Sequence, residues 1–360
     1  MCIKFQPCCV DSESEECFIL ARPQSGSKTT LWISPDHSLF FESSDVVADL
    51  RLFYTMENPM AISIYPITQN FAAEVGDVDL SKPLSADDSE AIKEAFWRYA
   101  VLVFPGQSLT PEQHIAFAKE FGPLEGENPT IASYRNRDVT TKSHSSELAD
   151  VSNLSPKNEV WTSGSRARMF HLGNQLWHTD SSFHHVPARA SLLYAREIAP
   201  IGGHTEFADE RAAYDALPEA MKRRIEGLIA EHSIFHSRAK IGYTDFPEEE
   251  RRALPPALHV LVRTIPESHR RSLYLAAHIT RIVEISDAES QSLLDELTEH
   301  ATQRQFVYTH RWRQHDLVMW DNRCTMHRGK DFDDLRWRRD LKRATVSDVA
   351  NSVEVAEAQR

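Results

Sequence analysis

From Ile62 onward, the chain alternates between short apolar stretches and polar turns. Apolar runs of five to seven residues, rich in β-branched and aromatic side chains, indicate strands. The predicted strands are 61–67, 100–104, 189–194, 203–207, 272–278, 305–311 and 316–321.

Longer stretches with apolar residues at helical spacing separate some of these strands. Thr110-Pro111-Glu112-Gln113 has the sequence of a capping box with proline at the first helical position, and Ser286 with Glu289 repeats the box. The predicted helices are 86–99, 110–122, 217–230 and 287–302. The polar, serine-rich segment 142–158 predicts a loop at a place where active-site lids are often found.

Short strands with few helices between them favour a fold that is mainly β with peripheral helices, and specifically a double-stranded β-helix, or jelly roll. Residues 1–58 differ, because they hold four of the five cysteines and show no regular period. We therefore predict an N-terminal extension at 1–58, one large domain at 59–349 and a C-terminal tail at 350–360. The extension is poorly ordered, or forms a small regulatory domain, or precedes a true start at Met56 or Met60.

Composition narrows the classes of function. A formal net charge of -13 argues against a nucleic-acid partner, and no apolar run approaches the roughly 20 residues that cross a bilayer. The five cysteines form no spaced framework, and the N-terminus lacks the pattern of a secretory signal. We expect a cytoplasmic protein with a small-molecule substrate and no membrane partner. A homo-oligomer stays open.

Two short runs, LWHTD at 176–180 and WDNRCTMH at 320–327, offer metal ligands. On a strand, His178 and Asp180 would point to the same face, and His327 could join them from a distant strand. Two histidines and one carboxylate are the ligand set of non-haem Fe(II) oxygenases, whereas zinc more often takes a tetrahedral or thiolate set. An isolated H-x-D is weak evidence, since it is also common at surface turns.

A basic run follows His327. If it forms a strand, Arg339, Leu341 and Arg343 share one face, while Arg338, Asp340 and Lys342 share the other. An arginine that points into an apolar interior is costly unless it meets an anion, and its planar guanidinium matches a carboxylate in two parallel bonds. An inward arginine beside a metal therefore predicts a dicarboxylate or a similar ligand.

Taken together, LWHTDSSF, GGHTEFADERAAYDALP, LVMWDNRCTMHRG and RRDLKRAT resemble the Fe(II)/2-oxoglutarate-dependent dioxygenases of the TauD/TfdA type, over roughly residues 60–349. The resemblance implies that His178, Asp180 and His327 hold Fe(II). It also implies that Thr205 and Arg339 hold the far carboxylate of 2-oxoglutarate. Arg339 lies one residue further from His327 than the family spacing, but the R-x-x-x-R-A-T register favours it over Arg338.

The resemblance assigns softer roles to three more residues. Arg343 would face the anionic group of the substrate or the near end of the cosubstrate, and Asn174 would line the substrate pocket. His278 resembles a pocket histidine of herbicide-degrading members, with a core or surface histidine as the equal alternative.

The implied reaction is the hydroxylation of a small, anionic organic substrate, with O2 consumed and succinate and CO2 released. The substrate could be aryloxyalkanoate-, sulfonate- or metabolite-like. The carboxylate of Asp180 favours hydroxylation over halogenation. The alternative function is a non-oxidative, metal-binding jelly-roll protein, an isomerase or a sensor. A nucleic-acid demethylase on the same fold is opposed by the acidic charge.

Overall fold

The structure is a computed structural model that describes residues 62–127 and 147–358, together with the backbone of three N-terminal strands. The chain divides into two units, Met1–Ala61 and Ile62–Arg360. In the first unit, β1 (Phe18–Ala21), β2 (Thr29–Ile33) and β3 (Leu39–Glu42) form an antiparallel sheet in that order. The three alternatives for the extension concern residues that lie largely outside the described part, and the predicted domain boundaries stay predictions.

A seven-stranded sheet dominates the second unit. Its strands are β4 (Ser63–Pro66), β5 (Ala73–Gly76), β6 (Val101–Phe104), β7 (Leu148–Ser152), β8 (Ala188–Glu197), β16 (Leu317–Asp321) and β18 (Asp340–Ser347). They lie in the order β4-β5-β6-β16-β8-β18-β7, and every described pair is antiparallel except β5 with β6.

A smaller sheet lies against it, in the order β15 (Val307–His310), β9 (Thr205–Asp209) and β17 (Thr325–Gly329). Phe207 of β9 packs against Trp320 of β16 in a shared apolar cluster that also includes Leu341 of β18. Two packed sheets with helices outside them confirm the predicted jelly roll, which is mainly β with peripheral helices.

The remaining strands form two further sheets: β11 (Ala257–Val260), β10 (Ile229–His232) and β14 (Ile279–Ile282), then β12 (Val262–Thr264) with β13 (Arg271–Leu273). The described helices are α1 (Ala86–Tyr99), α2 (Pro111–Lys119), α3 (Arg166–His171), α4 (Glu210–Ala216), α5 (Glu219–Ile225), α6 (Ile234–Ala239), α7 (Glu248–Ala253), α8 (Asp287–Ala301) and α9 (Ser352–Ala358). Within the described residues, none of these helices has the length and apolar character needed to cross a membrane.

The helices with the clearest sequence signals are where we predict them. α1 begins after the N-cap Ser85 and buries Ile92, Ala95, Phe96 and Tyr99 against the large sheet. The capping box at Thr110 and Gln113 is formed, although α2 ends at Lys119 instead of Gly122. Apolar periodicity together with caps therefore locates both the elements and the faces that they bury.

Two predicted elements are wrong in extent. The helix expected at 217–230 is shortened to α5, because Gly227 adopts a φ of 73° and the chain then enters β10. The strand expected at 272–278 ends with β13 at Leu273. Beyond it the backbone of Ala277 bonds to Trp177 instead of to a neighbouring strand.

The loop predicted at 142–158 is wrong over its central part, where β7 forms the edge of the large sheet. The buried face of β7 carries Leu148, Asp150 and Ser152, and Asp150 pairs with Lys342 at 3.0 Å. A strand with a polar buried face gives no apolar alternation, so the sequence pattern does not show it. Residues 142–146 of the predicted loop lie outside the described part.

Candidate active site

The two histidines of the site are joined through their backbones. His178 N donates to His327 O at 3.0 Å, and His327 N donates to His178 O at 2.7 Å. We expected His178 on a strand, but it lies only in this isolated bridge. His327 is part of β17. The bridge places the two imidazole rings side by side, with centroids 4.2 Å apart.

Asp180 completes a buried triad with these histidines. Its Oδ1 lies 3.9 Å from His178 Nε2, and its Oδ2 lies 3.8 Å from His327 Nε2. One potential ligand atom from each residue lies within 4.8 Å of the others. His178 Nδ1 donates to the carbonyl of Leu176 at 2.7 Å, which leaves Nε2 as the nitrogen with the lone pair.

The protonation states suit a divalent cation. Burial lowers the pKa of His178, and it lowers the pKa of His327 well below the usual range, so both rings are neutral near pH 7. Burial would raise the pKa of Asp180, but the adjacent guanidinium of Arg343, the two histidines and the hydrogen bond from Ser191 together outweigh it and hold this pKa at about 2. Two neutral imidazoles and one carboxylate form the donor set that non-haem iron prefers.

A hydrogen-bonded network that sequence reasoning missed fixes Asp180. Ser191 Oγ donates to Asp180 Oδ2 at 2.7 Å and accepts from Asn322 Nδ2 at 2.9 Å. Asn322 Oδ1 accepts from Asp180 N at 3.1 Å and from Trp320 Nε1 at 2.9 Å. In the sequence, this network could have been recognised only from Asn322 inside the WDNR run and from Ser191 in the mostly apolar β8.

A cavity of about 380 Å³ opens beside the triad. Six of the eight predicted site residues line it: Asn174, His178, Thr205, His327, Arg339 and Arg343. Asp180 lies behind this lining and contacts Arg343. His278 is also outside the lining. It is buried beside His178, with ring centroids 5.9 Å apart, and its Nδ1 lies 2.9 Å from Ser237 Oγ.

Arg339 presents an uncompensated cation to this cavity. Among the described residues no carboxylate pairs with its guanidinium, and burial lowers its pKa to about 10. Its neighbour Arg338 points the other way and pairs with Glu197, with Nε 3.0 Å from each carboxylate oxygen. Arg339 therefore lies inward and Arg338 outward, although both precede β18 and are not on a regular strand; the carboxylate-binding role of Arg339 stays a prediction.

Thr205 lies at the start of β9 and, like Arg339, lines the cavity. Its Oγ1 accepts a hydrogen bond from Trp312 Nε1 at 3.0 Å. Because the indole occupies an acceptor position, the hydroxyl proton of Thr205 remains free to donate to a ligand.

Arg343 and Asn174 reach the cavity while bonded to protein groups. Arg343 Nη1 donates to Asp180 Oδ1, so this arginine is held by the triad. Asn174 Oδ1 accepts from Arg238 Nη2 at 3.3 Å.

One wall of the cavity is the segment 330–338, which connects β17 to β18 and which we call the wall segment. Arg168 of α3 binds its Asp334 in a two-bond ion pair, with distances of 2.7 Å and 3.1 Å. Asn153, which directly follows β7, also bonds to it. None of these three residues stood out in the sequence, because their partners are distant in the chain.

A triad of this kind on a jelly roll is the arrangement found in non-haem dioxygenases. The family model "Taurine catabolism dioxygenase TauD, TfdA family" matches residues 63–345. The chain therefore belongs to the TauD/TfdA family, and it is an oxidoreductase of the dioxygenase class. The resemblance stated from the motifs is confirmed.

Individual relatives support the assignment to this family. The chain is 45% identical over 297 residues to the alpha-ketoglutarate-dependent 2,4-dichlorophenoxyacetate dioxygenase of Cupriavidus pinatubonensis, covering 81% of this chain and 99% of that protein. It is 36% identical over 283 residues to an (S)-phenoxypropionate/alpha-ketoglutarate-dioxygenase of Sphingobium herbicidovorans, covering 76% and 91%. The crystal structure of AAD-2 with Mn(II) and N-oxalylglycine superposes with a TM-score of 0.74 at 44% identity, covering 81% and 99%.

Proposed function

We propose that this protein is an Fe(II)- and 2-oxoglutarate-dependent dioxygenase that hydroxylates an aryloxyalkanoate-type carboxylic acid and releases succinate and CO2. The observation that carries the proposal is that a partly buried Arg339, with no acidic partner among the described residues, lines the same cavity as His178 and His327 of the triad. A metal site and a carboxylate site on one cavity suit a chelating dicarboxylate (2-oxoglutarate and alpha-ketoglutarate are the same compound).

His178, Asp180 and His327 would hold the iron. The bound metal, with 2-oxoglutarate and O2, supplies the oxidising chemistry. The protein orients the ligands: the second nitrogen of His178 is bonded to Leu176, and both oxygens of Asp180 are bonded, to Arg343 and Ser191. Ligands held in this way need little reorganisation when a metal enters.

Arg339 and Thr205 would hold the far carboxylate of 2-oxoglutarate. A guanidinium can donate two parallel bonds to a carboxylate, and the free proton of Thr205 can add a third. Because Arg339 is partly buried and has no acidic partner among the described residues, it gains more from an anion than a fully solvated arginine would.

The proposed substrate class rests on the named relatives and on the cavity. Trp161 and Phe332 supply aromatic surface in the lining, while Arg343 and Asn174 supply polar groups. An aryl ring with an attached carboxylate matches such a mixed lining. We assign Arg343 to the anionic group of the substrate or the near end of the cosubstrate, and Asn174 and His278 to the support of the substrate side. We infer a cytoplasmic location, because the five cysteines of the sequence form no spaced framework.

The test is a substrate panel. The full chain, loaded with Fe(II) and 2-oxoglutarate, is given 2,4-dichlorophenoxyacetate, a phenoxypropionate, taurine or an alkyl sulfate, and succinate is measured. We expect aryloxy acids to stimulate succinate release most strongly, and Asp180→Ala to abolish it. No succinate with any substrate would instead support the non-oxidative alternative, and a preference for taurine would refute the proposed substrate class.

A further inference from the structure

Asn153 lies where the cavity meets the end of the large sheet. Its residue is 5% exposed, and its side chain makes three hydrogen bonds to backbone groups. All three partners belong to the segment 334–339, more than 180 residues away in the chain. A buried amide whose bonds all converge on one distant segment fixes the path of that segment.

One of these bonds fixes Arg339. Asn153 Oδ1 accepts from Arg339 N at 2.8 Å, and Asn153 N donates to Arg339 O at 3.2 Å. Both main-chain polar groups of Arg339 are thus held by a single residue. Immediately afterwards, the register of β18 with β8 shifts between Asp340 and Leu341. Because the ladder to β8 is irregular at this point, Asn153 supplies the constraint that a regular ladder would otherwise provide.

The other two bonds fix the wall segment. Asn153 Nδ2 donates to Asp334 O at 2.7 Å and to Trp337 O at 2.8 Å. The wall segment and the backbone of Arg339 are therefore tied together through one amide group. A shift of either one would be transmitted to the other.

We propose that Asn153 is a positioning residue for the cosubstrate: it sets the direction of the Arg339 guanidinium and, through it, the affinity for 2-oxoglutarate. This inference rests on the proposed function, in which Arg339 binds the far carboxylate. Asn153 acts away from the metal ligands, since none of these side-chain bonds reaches His178, Asp180 or His327.

The experiment compares Asn153→Asp and Asn153→Ser with Asn158→Asp in the full, iron-loaded chain. Asn153→Asp removes both donated bonds and keeps the acceptor for Arg339, and Asn153→Ser leaves a small polar group that folds more easily. Asn158 is a matched control, because its Oδ1 accepts from the outward Arg338 at 2.9 Å. We expect the KM for 2-oxoglutarate to rise about tenfold in both Asn153 variants, the effect of losing one or two ordinary hydrogen bonds.

Two readouts and one control variant separate positioning from a general structural role. We expect kcat at saturating 2-oxoglutarate and the affinity for Mn(II) to change less than about twofold, and Asn158→Asp to match the wild type. A purely structural role would reduce the folded fraction, and with it the apparent kcat, but would leave the KM of the folded molecules unchanged.

Arg339→Ala, measured in parallel, distinguishes the two ways of failing. If Arg339→Ala raises the KM for 2-oxoglutarate while both Asn153 variants keep the wild-type KM, the positioning role is overturned and the proposed function stands. If Arg339→Ala itself leaves that KM unchanged, the carboxylate site is misassigned and both proposals fall.

Discussion

At the scale of single residues, the account depends on a few charged groups that are buried or partly buried. Asp180 is kept ionised by Arg343, the histidines are kept neutral by burial, and Arg339 stays without an acidic partner in the described part of the chain. A partly buried cation without an acidic partner is unfavourable in the ligand-free protein and is stabilised when an anion binds. These ionisable residues can be recognised in the sequence as a candidate binding site, because their positions in the interior are unfavourable without a ligand.

Arg339 and Arg338 form a natural pair for testing the carboxylate site. We expect Arg339→Ala to raise the requirement for 2-oxoglutarate by about two to three orders of magnitude, because a charge-assisted pair worth roughly 2–5 kcal/mol is lost. Arg338→Ala removes the same charge from the adjacent, outward position beside Glu197 and should change the requirement little. Steady-state kinetics with varied 2-oxoglutarate measure both. Equal effects of the two substitutions would contradict the inward assignment.

Two buried histidines away from the triad predict a pH dependence of folding. Burial lowers the pKa of His114 and that of His259 to about 4, from an ordinary value of 6.5. Between pH 4 and 6.5 the unfolded chain therefore binds protons that the folded chain does not, so the free energy of unfolding falls as the pH is lowered.

We expect each of these histidines to contribute up to about 1.4 kcal/mol per pH unit within that window. Urea unfolding at pH 7 and pH 5 measures the slope, and His114→Gln, which can still donate to Leu192 O, should reduce it. A slope that is unchanged in the variant would show that His114 is not a neutral, buried group.

At the scale of secondary-structure elements, sequence periodicity predicts the helices and strands whose buried face is apolar. It misses the elements whose buried face is polar. α1, β6 and α8 follow from apolar spacing and caps. The sequence does not predict β7, because the polar residues Asp150 and Ser152 occupy its buried face. For the same reason it does not point to Asn153, which directly follows this strand. The ligand triad is readable from the sequence because its residue types are unusual for an interior, whereas Ser191 and Asn322 act through bonds that only the folded chain creates.

The wall segment also depends on a glycine next to β9. Gly202 has a φ of 78°, and a Cβ there would clash with the backbone oxygen of Asp331. Gly242 has the same φ and open space around it, so it matches the backbone strain without the clash. We expect Gly202→Ala to destabilise the protein by about 1–3 kcal/mol more than Gly242→Ala. Thermal or urea unfolding compares the two variants. Equal decreases in the free energy of unfolding would show that the wall segment can shift to accommodate the added Cβ.

At the scale of the whole molecule, the site lies where the two sheets of the jelly roll meet. His327 comes from the small sheet, Arg343 from the large sheet, and His178 from the bridge to β17. The formal net charge of -13 does not attract an anionic ligand, so the local arginines must do so. The proposed binding of an anion therefore depends on where the fold places its arginines and not on the overall charge of the protein.

The central claim is that one cavity binds a metal ion and a dicarboxylate together. The most direct test is a calorimetric titration of N-oxalylglycine into the full chain, with and without Mn(II), for the wild type and for Asp180→Ala. The account predicts one-to-one binding that is tight only when the wild type holds the metal, and that is lost in Asp180→Ala. Binding of equal strength without the metal, or unchanged by the substitution, would contradict it.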